Sequence, residues 1–203
     1  MTKQYQFNPD NIWFTSDTHF DHSNIIKFCT RPFKDVDEMN EALIRKWNET
    51  VPTRGIVFHL GDFVFGGLNV LENIANRLNG TKYLILGNHD IRQQWNNSAR
   101  LSQLFEHVTQ QMTILVEGQT IILNHYPLLT YAGAWGDRLW NLHGHVHLGP
   151  HSNGLDDERM KLRFPTQYDV GVDNNDFRPV SFREVKDIIT KQCDINNYHI
   201  DAK

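Results

Sequence analysis

Cysteine is scarce in this chain. Cys29 and Cys193 are the only two among 203 residues, and they lie in unrelated segments. Small secreted scaffolds depend on several paired cysteines, and structural zinc sites need closely spaced ones. We therefore expect neither a disulfide framework nor a cysteine-based zinc site, and we interpret both cysteines as packing residues.

Long apolar runs and an excess of positive charge are also missing. No run approaches the ~20 apolar residues of a membrane span, and the polar residues 1–10 lack the apolar core of a signal peptide. The sequence therefore predicts a cytoplasmic protein without a membrane partner. The formal charge of -4 argues against a broad basic surface for long nucleic acid. A small nucleotide, a nucleic-acid end or a phosphorylated peptide stays compatible, because bound divalent cations would supply positive charge.

Histidine, in contrast, is abundant, and several of the 11 histidines stand where strand-like runs end. Short apolar runs bounded by turn signals are typical of buried strands. Five of them end in His, Asp or Asn, namely residues 12–16, 56–60, 83–86, 121–124 and 139–142. In α/β sheets, ligands bind beyond the carboxyl ends of the strands. Five such endings in one chain predict a functional site at that edge.

The remaining patterns predict a mixed α/β fold. Helical stripes follow the early strands, with Ser23 as the cap of a short helix, Asp35 as the start of a second and Gly80 as the stop of a third. This alternation implies parallel pairing. Beyond residue 106, strands follow one another at 112–116, 120–123, 138–142, 168–172 and 178–182, the first two as a hairpin. Ser181 and Glu184 form a capping-box pattern before the last helix.

The chain length suits one well-packed core, so we expect a single domain over residues 1–203 with a loose tail from about Asn196. The polar segment 148–166 interrupts the pattern. We interpret it as a loop or flap that shapes access to the site, with a solvated excursion of no function as the equal alternative.

The residue types at the strand ends indicate metal chemistry. Carboxylate, imidazole and amide-oxygen ligands together are typical of Mn, Fe, Zn, Co or Ni sites. They are not the thiolate ligands of a cysteine-rich structural zinc site. Four histidines, two aspartates and one asparagine exceed one coordination shell, so we expect two divalent ions, with Mn²⁺ favoured. Two metals roughly 3.5–4 Å apart can hold the attacking and leaving oxygens of an in-line displacement at phosphorus and generate hydroxide near neutral pH. Phosphoester hydrolysis is the reaction that a two-metal site of this kind suits best.

The order of these motifs resembles the calcineurin-like metallophosphoesterase superfamily, especially its small bacterial and phage-type members. The matching blocks, spread over residues 17 to 147, are Asp17-Thr18-His19, Gly61-Asp62, Gly87-Asn88-His89-Asp90, His125 and Gly144-His145-Val146-His147. The Gly-Asn-His-Asp and Gly-His-x-His blocks are specific, whereas Asp-x-His and Gly-Asp alone are weak signals. The resemblance implies a four-layer α/β/β/α sandwich of two mixed β-sheets flanked by helices, with metals at the strand carboxyl ends.

The resemblance also implies a role for each motif residue. It assigns Asp17, His19 and His147 to one metal, Asn88, His125 and His145 to the other, and Asp62 to both as a bridge. It implies that His89 acts on the phosphate and the leaving-group oxygen. Asp90 is expected to orient the His89 ring.

Other polar residues are weaker candidates. Arg31, Arg92 and Arg138 could contact phosphate, because a guanidinium matches its geometry, although each is individually better explained as a surface or salt-bridging arginine. His22 could touch substrate or be an ordinary loop histidine, and Tyr126 could line the pocket. The remaining histidines are interpreted as packed (His59), supporting the ligands (His143) and on the surface (His107, His151, His199).

Together these observations predict a dinuclear metal-dependent phosphodiesterase that hydrolyses a nucleotide-type or other small phosphodiester, with nucleic-acid ends as a further substrate class. Diesters are favoured over monoesters because the chain is close to the minimum size of the family and resembles its open-sited members. The alternatives are a phosphomonoesterase or protein phosphatase, and a scaffold that keeps the fold for binding. The retromer scaffold subunit that resembles this family lacks the histidine that corresponds to His89, whereas this chain keeps His89 and every ligand position. A mononuclear hydrolase of carbon esters or amides would not explain the second ligand set. The oligomeric state is not predicted.

Overall fold

Ten strands and seven helices make up the regular structure of the described chain. The computed structural model describes residues 5–92, 98–152 and 154–198. The strands are β1 (Tyr5–Phe7), β2 (Ile12–Thr15), β3 (Ile56–His59), β4 (Thr81–Ile85), β5 (His107–Thr109), β6 (Gln111–Val116), β7 (Gln119–Asn124), β8 (Leu139–His143), β9 (Gln167–Asp169) and β10 (Val180–Ser181). The helices are α1 (Ser23–Phe28), α2 (Val36–Thr50), α3 (Leu68–Arg77), α4 (Asn88–Arg92), α5 (Ser98–Leu104), α6 (Asp157–Met160) and α7 (Phe182–Ile195).

The strands form two five-stranded mixed sheets. One sheet has the order β10-β2-β3-β4-β5, in which β10 is antiparallel to β2 and the other pairs are parallel. The other has the order β1-β6-β7-β8-β9, in which only the β6–β7 pair is antiparallel. The parallel pairing of the early strands, the β6–β7 hairpin and the two mixed sheets with their helices confirm the predicted α/β/β/α fold class.

Alternating side chains of the central strands fill two hydrophobic cores. Val57 and Leu84 point into the core beneath α2, α3 and α5. Their neighbours Phe58 and Ile85 point into the core that residues of the second sheet share. Because successive side chains of a strand alternate between faces, β3 and β4 are buried on both sides. This burial explains their continuous apolar sequence and rigidly fixes the loops at their carboxyl ends.

Helix ends follow local chemistry, with some differences from the predictions. The Asp35 carboxylate accepts from the Glu38 amide, and Ser181 with Glu184 forms the full capping box. Ser23 is not a cap, since His22 occupies the cap position without a side-chain bond. Gly80 does not stop α3 either, because the helix ends at Arg77 and Gly80 instead turns the chain, at φ +87°, into β4.

Two predicted strands are shorter than expected. The strand predicted at 168–172 ends at Asp169, because the chain then crosses to the other sheet, where the Val172 amide donates to the Ser16 carbonyl at 3.1 Å. The strand predicted at 178–182 consists of Val180 and Ser181 only, and α7 starts directly after it. The short elements β1, β5, α4, α5 and α6 were not predicted, since each is too brief for a periodic signal.

The tail predicted to be loose begins with residues that pack. The Tyr198 amide donates to the Cys193 carbonyl at 2.8 Å, and its hydroxyl donates to the Ala134 carbonyl. Residues 199–203, and with them the prediction for His199, lie outside the described residues. Among the helices that the structure describes, none combines the length and apolar character needed to cross a membrane.

Candidate metal centre

The predicted ligands come together where strands of both sheets end. Asp17 and His19 follow β2, Asp62 follows β3, and Asn88 begins α4 just beyond β4. From the second sheet, His125 follows β7, whereas His145 and His147 follow β8. The loop amides tie the two sheets together, since the Asp17 Oδ2 atom accepts from the His145 amide at 2.9 Å. The carboxyl edges of both sheets therefore face a common cleft.

Backbone strain is concentrated at these positions. Five of the seven predicted ligands have a left-handed backbone, with φ of 56° at Asp17, 49° at His19, 55° at Asp62, 70° at His145 and 46° at His147. Non-glycine residues in this region cost about 1–3 kcal/mol each and cluster at functional sites. The strained turns aim the side chains into the cleft rather than along the strands.

Two motif glycines permit the close approach of these loops. A Cβ atom on Gly87 would lie 2.2 Å from Asp62 Oδ1, and one on Gly144 would lie 2.1 Å from Ser16 Oγ and 2.2 Å from Asp17 Oδ2. No side chain fits in that space. The glycines of the Gly-Asn-His-Asp and Gly-His-x-His blocks are therefore required by packing against the predicted ligands.

Four groups of His, Cys and Asp side chains among the described residues lie close enough to hold an ion, and two of these groups consist of predicted ligands alone. One set consists of Asp17, His19 and His147, and the other of Asp62, His125 and His145; within each set the atoms lie within 4.8 Å of one another. Asp62 stands between the sets, because its Oδ2 atom is 3.6 Å from both His19 Nε2 and His125 Nε2. Asn88 Oδ1 lies 3.1 Å from His125 Nε2, on the side of the second set.

Hydrogen bonds fix which imidazole nitrogen faces the cleft. His125 Nδ1 donates to the Leu60 carbonyl at 2.7 Å, and His147 Nδ1 donates to Asp173 Oδ2 at 2.6 Å. A histidine whose Nδ1 carries the proton presents the Nε2 lone pair, which is the usual arrangement of a metal ligand. The protein thus prepares both Nε2 atoms to accept a cation.

The electrostatics of the cleft also fit bound cations. Four buried side-chain atoms of the described residues have no hydrogen-bond partner, and two of them are Asp17 Oδ1 and His19 Nε2. Burial, together with the charges of Asp17 and Asp90, raises the pKa of Asp62 to about 8. Buried carboxylates that repel one another require a positive partner. The unpaired acceptor atoms and the donor types therefore fit divalent ions.

Asp173 is a residue of this region that the sequence analysis missed. Its carboxylate accepts from His147 and forms a two-pronged ion pair with Arg31, at 2.8 Å from both Nε and Nη2. Burial acts to raise the pKa of Asp173, but Arg31 and His147 outweigh it and lower that pKa. Asp173 directly follows the strand predicted at 168–172, as the predicted ligands follow their strands, so the same signal could have identified it.

Arg31, a candidate phosphate contact, instead forms a salt bridge, which is the alternative that the sequence analysis favoured. Its guanidinium is buried, and besides Asp173 it donates to the carbonyls of Asp17 and Thr18 at 2.8 Å and 3.0 Å. A guanidinium engaged on all sides by the protein has no free edge for substrate. Arg31 instead braces the strained turn that carries Asp17.

Asp90 does not orient His89 as expected. Its carboxylate accepts from the amides of Asp62, Phe63 and Gly87 at 2.8 Å, 3.0 Å and 2.8 Å, and among the described contacts none joins it to the His89 ring. Burial raises the pKa of Asp90 to about 6, against the effect of these bonds. Asp90 therefore clamps the two loops that carry Asp62 and Asn88, which is a positioning role.

His89 stands at the rim of the cleft. Its Nε2 atom lies 3.9 Å from Asp62 Oδ2, and its amide donates to Asp62 Oδ1 at 2.9 Å. Its ring packs edge-on against His19, with centroids 5.2 Å apart. The ring is thus held beside both ligand sets while part of it stays accessible.

Two other predicted substrate contacts border the cleft. His22 lies with its Nδ1 atom 3.3 Å from His19 Nδ1, and its ring stacks on Phe65 with centroids 4.1 Å apart. On the other side, the Tyr126 ring lies 4.7 Å from the His145 ring.

The remaining two arginines lie in different places. Arg92 is exposed at the end of α4, three positions after His89. Arg138 is misplaced for phosphate, because it precedes β8, whereas the ligands follow the last residue of that strand. Five strand residues separate the two ends by roughly 16 Å.

The other histidines mostly match their interpretation. His59 is fully buried; its Nδ1 atom accepts from the Gly61 amide, and its Nε2 donates to Thr18 Oγ1, which in turn donates to the Phe63 carbonyl. His143 is buried beside the ligand loop, where Nδ1 donates to the Gly144 carbonyl at 3.1 Å. His107 is exposed, whereas His151 is half-buried, with Nδ1 donating to the Thr30 carbonyl at 3.1 Å and its ring packed against Phe177.

The fold and the two ligand sets define a metal-dependent hydrolase of the phosphoesterase type, and comparisons with known proteins agree. The family profile described as calcineurin-like phosphoesterase matches residues 11–191. The chain belongs to this family.

Relatives of the chain occur in distant sources. It is 32% identical over 182 residues to an uncharacterised protein of Methanocaldococcus jannaschii, covering 89% of this chain and 92% of the relative. It is 32% identical to the Gene 66 protein of Mycobacterium phage D29, covering 80% and 88%. A crystal structure of a protein of unknown function from Aquifex aeolicus superposes with a TM-score of 0.65 at 26% identity, covering 87% of this chain and 98% of that one.

Proposed function

We propose that this protein is a dinuclear metal-dependent phosphodiesterase that acts on small, nucleotide-type phosphodiesters. Family membership and the grouped Asp and His side chains support metal-dependent phosphoester hydrolysis. The dinuclear site, the preference for diesters and the choice of Mn²⁺ go further and are the content of the proposal.

We favour a diester substrate because apolar surface lies on both sides of the ligand sets. Phe28 and Phe65 are exposed beside His22 and His89 at one end of the cleft. Tyr126 is exposed beside His145 at the other end. A phosphate centred between the sets would direct one substituent toward each end. A monoester has a single organic substituent, so only a diester would use both surfaces.

The metal ligands would act as a rigid frame for the phosphate. Asp17, His19 and His147 would hold one cation, and Asn88, His125 and His145 the other, with Asp62 shared. Two such cations would activate a water molecule as nucleophile and offset negative charge on the phosphate.

His89 is the residue placed to assist the departing group. It lies beyond Asp62 and outside both predicted ligand sets, at the rim where an ester oxygen would leave. An imidazole N–H at this position would donate a hydrogen bond or its proton to that oxygen, a contribution typically of about 10²–10⁴-fold. Arg92, exposed near His89, would attract the phosphate charge.

The experiment compares hydrolysis of bis-p-nitrophenyl phosphate and p-nitrophenyl phosphate by protein that was stripped with chelator and reloaded with Mn²⁺. We expect faster cleavage of the diester, loss of activity in Asp62→Asn, and a loss of about 10²–10⁴-fold in His89→Ala. His107→Ala, which changes an exposed histidine on the edge strand β5, is the matched control and should keep full activity.

Each alternative function predicts a different result. Faster cleavage of the monoester would identify a phosphatase. One tightly bound Mn²⁺ per chain, measured by elemental analysis, would indicate a mononuclear hydrolase. A scaffold would turn over neither these esters nor natural phosphoesters with any transition metal.

A further inference from the structure

A second cleft, distinct from the metal cleft between the ligand sets, opens next to His145 and is not lined by His89. It has a volume of about 310 Å³ and lies between the turn after β7 and the segment that contains α6. The residues that line it include Tyr126, Leu128, Met160, Leu162 and the buried Gln167. The segment 148–166 thus shapes a space that begins at a predicted metal ligand.

The Gln167 side chain, which lines this cleft, is already bonded to the protein. The Gln167 Nε2 atom donates to the Leu128 carbonyl at 2.9 Å and to Asn141 Oδ1 at 2.8 Å, and Oε1 accepts from the Phe164 amide at 2.9 Å. Both amide hydrogens of this side chain are therefore used, and its oxygen already accepts one bond. Gln167 thus has no hydrogen left to donate to a ligand.

Of the charged groups at the edge of the cleft, Arg159 and Asp156 form an ion pair, and Arg163 bonds to the backbone. Arg159 Nη1 lies 3.0 Å from Asp156 Oδ1, and Arg163 Nη1 donates to the Met160 carbonyl at 3.2 Å. Leu129 and Leu162 are 83% and 77% exposed at the rim. Apolar lining residues and an aromatic face favour a ligand group that is bound by burial and stacking.

The position of the cleft defines which part of a substrate would reach it. Tyr126 stands at its mouth, with ring centroids 4.9 Å from His125 and 4.7 Å from His145. His89 does not line this second cleft. Its ring packs against His19, His22 and Phe65 instead. A group in the cleft is therefore attached to phosphorus through an oxygen other than the one that His89 serves.

We propose that this cleft binds an aromatic ring, of the size of a nucleobase or phenyl group, on the ester arm that stays on phosphorus. The inference rests on the proposed function. Hydrolysis breaks the bond from phosphorus to the leaving oxygen and forms one to a water oxygen, and a water proton ends on the leaving alcohol. The product is then the monoester of the retained arm, with its ring still in the cleft.

The kinetic test keeps the p-nitrophenyl leaving group and varies the retained arm. Methyl, phenyl and thymidine-5′ p-nitrophenyl phosphates are compared with the Mn²⁺-loaded protein. We expect kcat/KM to be about tenfold higher or more with an aromatic arm than with methyl, because the ring removes apolar surface from water. Leu162→Asp should reduce the phenyl-to-methyl ratio about fivefold, and Leu129→Asp should reduce it in the same direction. Taking the ratio cancels any effect of the new charge on the phosphate itself.

The matched control is Leu155→Asp. Leu155 is 79% exposed in the same segment, but it does not line the cleft, so the ratio should stay at the wild-type value. Equal efficiency with methyl and phenyl arms in the wild type, or an equal loss for both arms in Leu162→Asp, would overturn the assignment of the cleft.

A binding measurement separates this inference from the proposed function. Phenyl phosphate and methyl phosphate are titrated into the Mn²⁺-loaded protein by calorimetry, which requires no turnover. Tighter binding of phenyl phosphate that Leu162→Asp weakens supports the cleft even if no diester is hydrolysed, in which case only the proposed function fails. Turnover without any difference in binding or in kcat/KM overturns the cleft and leaves the proposed function standing.

Discussion

Removal of the Arg31 guanidinium is the sharpest test of how the metal centre is supported. The Arg31–Asp173 pair has no exposed side-chain surface, and Arg31→Met would leave the Asp173 carboxylate buried with His147 as its remaining charged partner. Breaking a buried ion pair on one side costs about 3–5 kcal/mol. The substitution also removes the donors to the Asp17 and Thr18 carbonyls. We therefore expect the free energy of unfolding of the metal-free protein to fall by at least about 3 kcal/mol.

The assay is urea unfolding at pH 7, with an exposed pair of the same geometry as control. Arg77 donates two bonds to Glu41, at 2.8 Å and 2.6 Å, but its side chain is 42% exposed. Arg77→Met should cost at most about 1 kcal/mol. If Arg31→Met costs no more than this control, the buried pair does not brace the site and the reasoning is refuted.

Asp173→Asn tests the other end of the same network. Asparagine can still accept from His147 Nδ1, but it removes the charge that Arg31 and His147 share. Loss of such an outer partner typically weakens metal affinity about 10–100-fold. Calorimetric titration with Mn²⁺ measures this loss. An unchanged affinity would show that Asp173 stabilises the fold without helping His147 to bind a metal.

Three further outcomes are expected from the same structure. Burial lowers the pKa of His59 to about 3, below its ordinary value in the unfolded chain, so the unfolded chain binds more protons as the pH falls from about 6 toward 4. Stability should then decline with falling pH, and His59→Gln should flatten the slope of the unfolding free energy by up to about 1.4 kcal/mol per pH unit; coincident slopes would contradict this. Saturating Mn²⁺ at about 100 times its Kd should add about 2.7 kcal/mol of stability, and EDTA should reverse the accompanying rise in Tm, whereas an unchanged Tm would argue against a metal site. Gly144→Ala should cost about 1–3 kcal/mol by overpacking against Ser16, while Gly67→Ala, where a Cβ meets nothing within 4 Å, should stay within about 0.5 kcal/mol. Equal costs in denaturant unfolding would refute the clash.

The sequence predicted the strand ends well because that signal is local. An apolar run followed by a turn and a polar side chain is visible within about eight residues, and in this fold every such run delivers its side chain to the cleft. Strand β3 illustrates the reason. Val57 is buried on one face of the strand and Phe58 on the other, so only residues beyond the strand end are available for chemistry.

The partners of those side chains could not be predicted, because they are distant in the sequence. Arg31 and Asp173 are separated by 142 positions, and no periodicity links them. A lone arginine after a helix is compatible with a salt bridge or a phosphate contact, and only the folded chain shows that carbonyls and a carboxylate surround it. The role of Asp90 was missed for the same reason, since its bonds run to the loop amides of Asp62 and Phe63.

The strain at the centre ties metal binding to folding. Five ligand positions in the left-handed region, at about 1–3 kcal/mol each, add up to an amount comparable to the 5–15 kcal/mol of net stability of a typical domain. Buried carboxylates such as Asp62 and Asp17 add repulsion. The two hydrophobic cores and the Arg31–Asp173 brace must offset these costs in the metal-free protein. A divalent cation would turn the repulsion into attraction while leaving the cores unchanged, and an unfolded chain would have no such site. The free energy of metal binding therefore adds directly to the stability of the fold, and substitutions that weaken the brace should make folding more dependent on metal.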